Sequence, residues 1–481
     1  MTLAQLLSGA LPTFSPPIWL GLVVSLCILA SYAYSWSRLR HIKGPWLGSF
    51  SYLWMLYYTT KGKQAVIYRA INQNYGHLAR IGPNDLITDD PDIVRRMNAA
   101  RSPYKRSSWY EALRMNPYQD SLFSMGDTAA HDKLKAQLSF GYGGKENPTI
   151  EDGIDEQLGN LHGLIRRKYL STDTEFRPMD LAMAVQYFTL DTITRIAYGK
   201  EFGYLEADSD LHAYIRTSEE QVPFLTAFAE IPWMRILFFS RFVLRFIGPK
   251  KTDRKGIGRL LGVADRIIEE RLSAGAEEKQ DMLSSFIRHG VTRDQLEGEL
   301  LFQIVAGSDT TATALRGTML HLMSAPNIYH TLQREIDEAI SQGKISSPAK
   351  AEEGKELEYL QAVIYEGLRM NIPFSGLCMK QVPPGGDTLL GQFVPGGTRV
   401  AHNMLGMQRS RDVFGDDADL FRPERWLGID AEKKKTMMNV AEMVFGYGRF
   451  GCSGKPVAIM ELNKAYIEAS LERCDPFERQ E

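Results

Sequence analysis

Cysteine is scarce in this chain. There are four, Cys27, Cys378, Cys452 and Cys474, scattered without paired spacing. That excludes a disulfide framework and fits a reducing compartment. Net charge is nearly absent: 56 basic and 58 acidic side chains give a formal −2, so no nucleic-acid partner is expected. No Pro-, Gly- or Ser-rich linker and no internal repeat divides the 481 residues, although that length exceeds one average domain. The middle of the chain reads as mostly helical. Only His77–Ile87 and Gln392–Ala401 have strand-turn-strand character, and these supply small sheets beside a helical body.

One run lacks charge altogether. Ile18 to Trp36 (IWLGLVVSLCILASYAYSW) has no Asp, Glu, Lys or Arg, and as a helix it is about 28 Å long, roughly one bilayer core. No Lys or Arg precedes it, whereas Arg38, Arg40 and Lys43 follow at once. The positive-inside rule then puts residues 1–17 in the lumen and 37–481 in the cytosol. A cleaved signal peptide is the alternative. It is disfavoured because a basic leader is missing and the apolar run is long. The segment 18–36 is expected to be a single-pass anchor.

The most informative stretch is Phe445–Gly454 (FGYGRFGCSG). Its glycines let the backbone turn tightly and approach a flat cofactor. Loop N–H groups can donate to the Cys452 sulfur, and the helix predicted after it favours negative charge at its start. This is a setting for a thiolate metal ligand; the plain alternative is a buried cysteine in a glycine turn. Phe445, Gly448, Cys452 and Gly454 resemble the cysteine loop of the cytochrome P-450 superfamily, the haem-thiolate monooxygenases. The resemblance runs from about Gly44 to Met460. It implies a mainly α fold with small β-sheets, a haem held by Cys452, and an endoplasmic-reticulum membrane location. It also implies electrons from NADPH through a flavoprotein reductase, with cytochrome b5 as a further candidate partner.

Two more motifs follow the order of that family. Ala306-Gly307-Ser308-Asp309-Thr310-Thr311 lies in an apolar-periodic run from Thr292 to Ser324. Ala-Gly in mid-helix gives up intrinsic stability, and the expected reason is close passage over the haem. The Thr310 hydroxyl can bond back to Ala306 and bend the helix. The resemblance implies that Asp309 and Thr310 manage proton delivery to dioxygen. A buried helix with a glycine packing notch is the alternative. Glu366 and Arg369 share one helix face, and the resemblance joins them to Arg425 of the segment Phe421–Trp426 in a buried structural network.

The resemblance also implies haem-propionate contacts from His131 and Lys135, which are one helical turn apart, and a haem-contacting base at Lys380. For Lys135 and Lys380, solvated surface lysines are the alternative. Family members usually carry a base two residues before the cysteine. Here Phe450 stands there and Arg449 precedes it, so Arg449 is the candidate. Arg101–Asp127 is irregular and is implied to be the loop over an apolar small-molecule pocket. Gln221–Gly248, rich in Phe, Leu, Ile and Trp, suits either a buried helix pair or shallow membrane contact. The wording of several segments (Arg101–Tyr104, Gly141–Glu146, Glu461–Lys464) resembles filamentous-fungal, pisatin-demethylase-like members, which implies secondary-metabolite oxidation. After Cys452 the chain continues only to Glu481. Its tail does not read as strands, so the family's C-terminal hairpin is expected to be missing. Two alternatives to a monooxygenase stay open here: a haem-thiolate isomerase that needs no reductase, and a truncated, inactive haem protein.

Overall fold

A computed structural model of the protein describes residues 16–144, 146–275 and 279–471. The helices used below are labelled in chain order: α1 Pro16–Arg38, α2 Trp46–Phe50, α3 Leu53–Thr60, α4 Thr128–Tyr142, α5 Leu181–Tyr198, α6 Tyr214–Glu230, α7 Pro232–Phe238, α8 Arg241–Ile247, α9 Arg293–Ser324, α10 Glu358–Met370 and α11 Lys455–Leu471. Local chemistry sets several ends. Asp127 caps α4 by accepting from the Ala130 N–H, and Thr292 with Gln295 forms a reciprocal capping box at the start of α9. Pro232 opens α7, and the Ser240 side chain caps α8.

The core is built on α5 against α9. From Ala184 to Tyr198 almost every residue of α5 is buried. At the crossing, a Cβ added to Gly307 would lie 2.6 Å from Ile193 Cγ1. The glycine of α9 is therefore a packing notch for Ile193 of α5.

Among the described residues, seven short strands complete the fold: β1 Leu78–Gly82, β2 Asp85–Thr88, β3 Lys105–Arg106, β4 Lys380–Gln381, β5 Asp387–Leu389, β6 Gln392–Val394 and β7 Arg399–His402. The larger sheet runs β1-β2-β7-β4-β3, and β5-β6 is a separate pair. His77–Ile87 forms the expected antiparallel pair. The two strands within Gln392–Ala401 do not pair with each other. β6 stays with β5, while β7 runs parallel to β2 and antiparallel to β4. Burial explains the split: every residue of β7 is buried, as an inner strand requires, whereas β6 is half open. Asp85 faces Arg399 across the β2–β7 register and binds it in a buried ion pair.

The long N-terminal helix extends two residues beyond the expected span at each end. Residues Trp19–Arg38 are long and apolar enough to cross a membrane, and none of that stretch is buried inside the protein. Its C-terminal end is tied to the sheet, since Arg80 donates to the Trp36 carbonyl at 3.1 Å. Gln221–Gly248 is not a buried helix pair. It spans α6, α7 and α8, and Trp233, Ile236, Phe242, Phe246 and Ile247 are exposed. The expected loss of the C-terminal hairpin falls on residues past Leu471 and lies outside those described.

Candidate active site

The cysteine loop is a tight turn sealed by backbone bonds. The Cys452 N–H donates to Phe445 O at 2.7 Å, and the Gly451 N–H to Gly448 O at 3.1 Å. Gly448 adopts φ +57°, and a Cβ there would lie 2.4 Å from Asn98 O, so both its backbone and its packing call for glycine. Lys135 of α4 braces the loop from outside, donating to the carbonyls of Arg449 (2.8 Å) and Gly451 (2.7 Å). Phe445 packs against the main apolar core, and α11, which follows the loop, packs on α9.

Cys452 is exposed, yet burial is the main cause of a thiol pKa raised above its ordinary value, partly offset by the N–H groups of Gly454 and Lys455 and by the charge of Lys135. Together these describe an accessible sulfur in otherwise dense surroundings, with the N–H groups of Gly454 and Lys455 directed at it. Among the described residues, no group of three or more His, Cys, Asp or Glu side chains is placed to hold a metal ion. A metal at Cys452 would therefore need a ligand set brought by a cofactor.

The strongest sign of such a group is unpaired positive charge. Lys380 is fully buried, its Nζ has no hydrogen-bond partner, and Arg106 Nε has none either. Lys380 Nζ lies 3.2 Å from the centroid of the Phe450 ring, and the Arg106 guanidinium 4.6 Å from it. Burial pushes the pKa of both cations down, and the charge of Arg106 lowers that of Lys380 further. Glu299, an acid near Arg106, is no remedy: burial holds its carboxyl up to about 8, so it is largely neutral at pH 7. Two buried cations without an anion are costly, and an ionised carboxylate brought by a cofactor would compensate them. The haem propionates fit this demand.

The expected haem-contacting residues divide. His131 is buried with its ring 4.9 Å from Phe450. Burial and then Arg106 hold its pKa down to about 4. Arg449 turns to Asp132 at 3.2 Å and to the Ala100 carbonyl, and it does not join the buried cations. Arg106 does, although sequence reasoning passed over it. The signal was weak: one base among several in an irregular segment, made special only by β3 pairing with β4, which sets Arg106 opposite Lys380.

On α9, the Thr310 hydroxyl donates to Ala306 O at 2.8 Å. Ala306, Gly307, Asp309 and Thr310 are partly buried, whereas Ser308 and Thr311 are packed. Thr311 donates to Glu461 of α11, whose carboxyl burial pushes up to about 8. Asp309 accepts from Gln186 at 2.8 Å; its pKa is raised by burial. Phe123 stacks on Phe302 at 5.2 Å and meets Phe374 edge-on at 5.7 Å, an aromatic wall beside the same helix.

Glu366 is completely buried. It accepts from Arg369 (2.6 and 2.9 Å), Arg425 (3.0 Å), the Trp426 indole (3.0 Å) and the Arg422 N–H (2.9 Å). A surface cleft of about 400 Å³, lined by Tyr198, Phe202, His212 and Arg271 among others, contains none of these groups.

The model of the family described as Cytochrome P-450 matches residues 44–475. The chain belongs to that family. It is 47% identical over 461 residues to the cytochrome P-450 monooxygenase ABA1 of Pyricularia oryzae, covering 94% of this chain and 90% of that one. It is 45% identical over 433 residues to the monooxygenase aba1 of Botryotinia fuckeliana, covering 89% and 85%. With abl1 of Leptosphaeria maculans it shares 40% over 446 residues, covering 92% and 78%. It is a cytochrome P-450 monooxygenase, with the haem-thiolate cofactor of that family.

Proposed function

We propose that Cys452 would hold the haem, as its thiolate, in a membrane-anchored monooxygenase that oxidises an apolar small molecule, in the secondary metabolism of a filamentous fungus. The observation that carries this reading is an exposed Cys452 sulfur in a glycine turn, close to two buried cations without an ion-pair partner: Lys380, whose Nζ is unbonded, and Arg106, held by the carbonyls of Leu122 and Met125. When bound, the haem supplies reductive activation of dioxygen and transfer of one oxygen atom to the substrate, with electrons from NADPH through a reductase. Lys380, Arg106 and His131 would hold its propionates. Phe445 and Gly448 shape the loop, which Lys135 braces. Phe123, Phe302 and Phe374 line an apolar approach, which suits an apolar substrate. A reduced carbon-monoxide difference spectrum of the expressed protein tests the thiolate assignment; a spectrum without thiolate character defeats it.

The carboxyl of Asp309 and the hydroxyl of Thr310 hold and pass protons. Thr310→Ala is expected to leave haem binding intact and to uncouple the enzyme: NADPH and oxygen are consumed, peroxide is released, and product per NADPH falls severalfold. Unchanged coupling would remove Thr310 from the mechanism.

The anchor is α1, in the endoplasmic reticulum membrane, with the catalytic body in the cytosol. The exposed apolar residues of α2 (Trp46, Leu47), α7 (Trp233, Ile236) and α8 (Phe242, Phe246) give the body a second, shallow membrane contact. Deleting residues 1–37 should move much of the protein into the soluble fraction with its carbon-monoxide spectrum intact. Quantitative retention on membranes at alkaline pH would refute α1 as the main anchor.

A further inference from the structure

The acid of α9 is held by helices other than its own. Asp309 Oδ1 accepts from Gln186 Nε2 of α5 at 2.8 Å; the hydroxyl of Tyr214, the first residue of α6, lies 3.3 Å from both Asp309 Oδ1 and Ser308 Oγ, and its one hydrogen favours the ionised carboxylate. Ser308 Oγ itself lies 3.3 Å from Asp309 Oδ1. Its single hydrogen goes to Ile304 O at 2.8 Å, so Ser308 is not an independent donor. Gln186, Tyr214 and Ser308 are buried, and none carries a charge at neutral pH. The cation that acts on Asp309 is Arg316, which donates to Thr313 Oγ1 at 2.9 Å. Asp309 Oδ2 takes no hydrogen bond from the described residues and is not among the buried unsatisfied atoms, so it stays accessible.

We propose that Gln186 and Tyr214 are positioning residues for Asp309: they pin Oδ1 from two neighbouring helices and leave Oδ2 as the one oxygen free to take up and release a proton. This rests on the reading that Asp309 handles protons. A proton arriving at Oδ2 makes the carboxyl neutral, and its departure restores the carboxylate. Neither step moves the two pinning donors. Both donate to the ionised form, so they favour it and hold the pKa below the value that burial alone would give.

The test uses full-length, haem-loaded enzyme and three variants: Tyr214→Phe, Gln186→Leu and Asp309→Asn. Infrared difference spectra against Asp309→Asn assign the Asp309 carboxyl band, which is then titrated. Removing either donor should raise the midpoint, by about one pH unit, with the carbon-monoxide spectrum and melting temperature unchanged. Product per NADPH against pH should shift in the same direction. An unmoved midpoint in both variants overturns the proposal. Should Tyr214→Phe not retain haem, Gln186→Leu alone decides it. The underlying reading fails separately: if Asp309→Asn couples as well as the parent enzyme, Asp309 is not the proton carrier, whatever its midpoint does in the other variants.

Discussion

Cys452→Ala is expected to abolish turnover entirely, with product falling to the background of the reductase alone. Thiolate ligation would set the electronic push toward O–O cleavage, and among the described residues no other cysteine is placed to replace it. Cys27 lies on the exposed N-terminal helix. Cys378 is held beside Tyr110 in a left-handed backbone conformation, φ +44°, and burial raises its pKa. Neither sits in a glycine-rich turn. The reduced carbon-monoxide spectrum should lose its thiolate band while the α-helical circular dichroism survives, because Cys452 contributes little to packing. A variant that kept both the band and activity would mean that the ligand lies elsewhere.

Glu366→Gln should be strongly destabilising. In the native protein, burial pushes the Glu366 carboxyl up, but hydrogen bonds and charges from Arg369 and Arg425 more than reverse it, and its pKa lies below the ordinary value. Arg425 would keep Asp417 at 2.8 Å. Arg369 would keep only acceptors without charge, among them the carbonyls of Gln408, Ala418 and Leu420. An uncompensated buried guanidinium costs about 3–5 kcal/mol, a large share of the ~5–15 kcal/mol that holds a domain together. Thermal unfolding and the ratio of haem to protein absorbance measure the loss; a melting temperature within a degree or two of the parent would contradict it. The pH dependence has a fixed sign. Because the folded-state pKa is depressed, Glu366 stabilises the fold above its unfolded-state value, and that contribution disappears as pH falls through the folded value. The glutamine variant should therefore lose less stability on acidification than the parent.

Much of this enzyme was legible in the chain because its chemistry comes in contiguous pieces. Cys452 declares itself through the glycines around it, since a tight turn needs them next to the ligand. Thr310 declares its back-bond through the fixed four-residue spacing to Ala306, and Glu366 pairs with Arg369 through the one-turn repeat of a helix. The apolar run at the N-terminus reads directly as a helix length. Each of these signals is local: the partners lie within a few residues, and backbone geometry alone brings them together.

What the tertiary structure decided is everything that depends on which distant segments meet. Gly307 marked a close approach, and only the packing of α9 on α5 named Ile193 as the partner. The strands of Gln392–Ala401 looked like neighbours, and the demand for a buried inner strand sent them to different sheets. Arg449 stood in the expected stretch, but Asp132 drew it outward, and Arg106 filled the buried place because two short strands set it opposite Lys380. Gln186 and Tyr214 were invisible as partners of Asp309, more than 90 residues away in sequence. Local periodicity determines how a segment folds and which face its charges share. Only the burial of many segments against one another determines which charges are left without a partner, and that is where a cofactor is held.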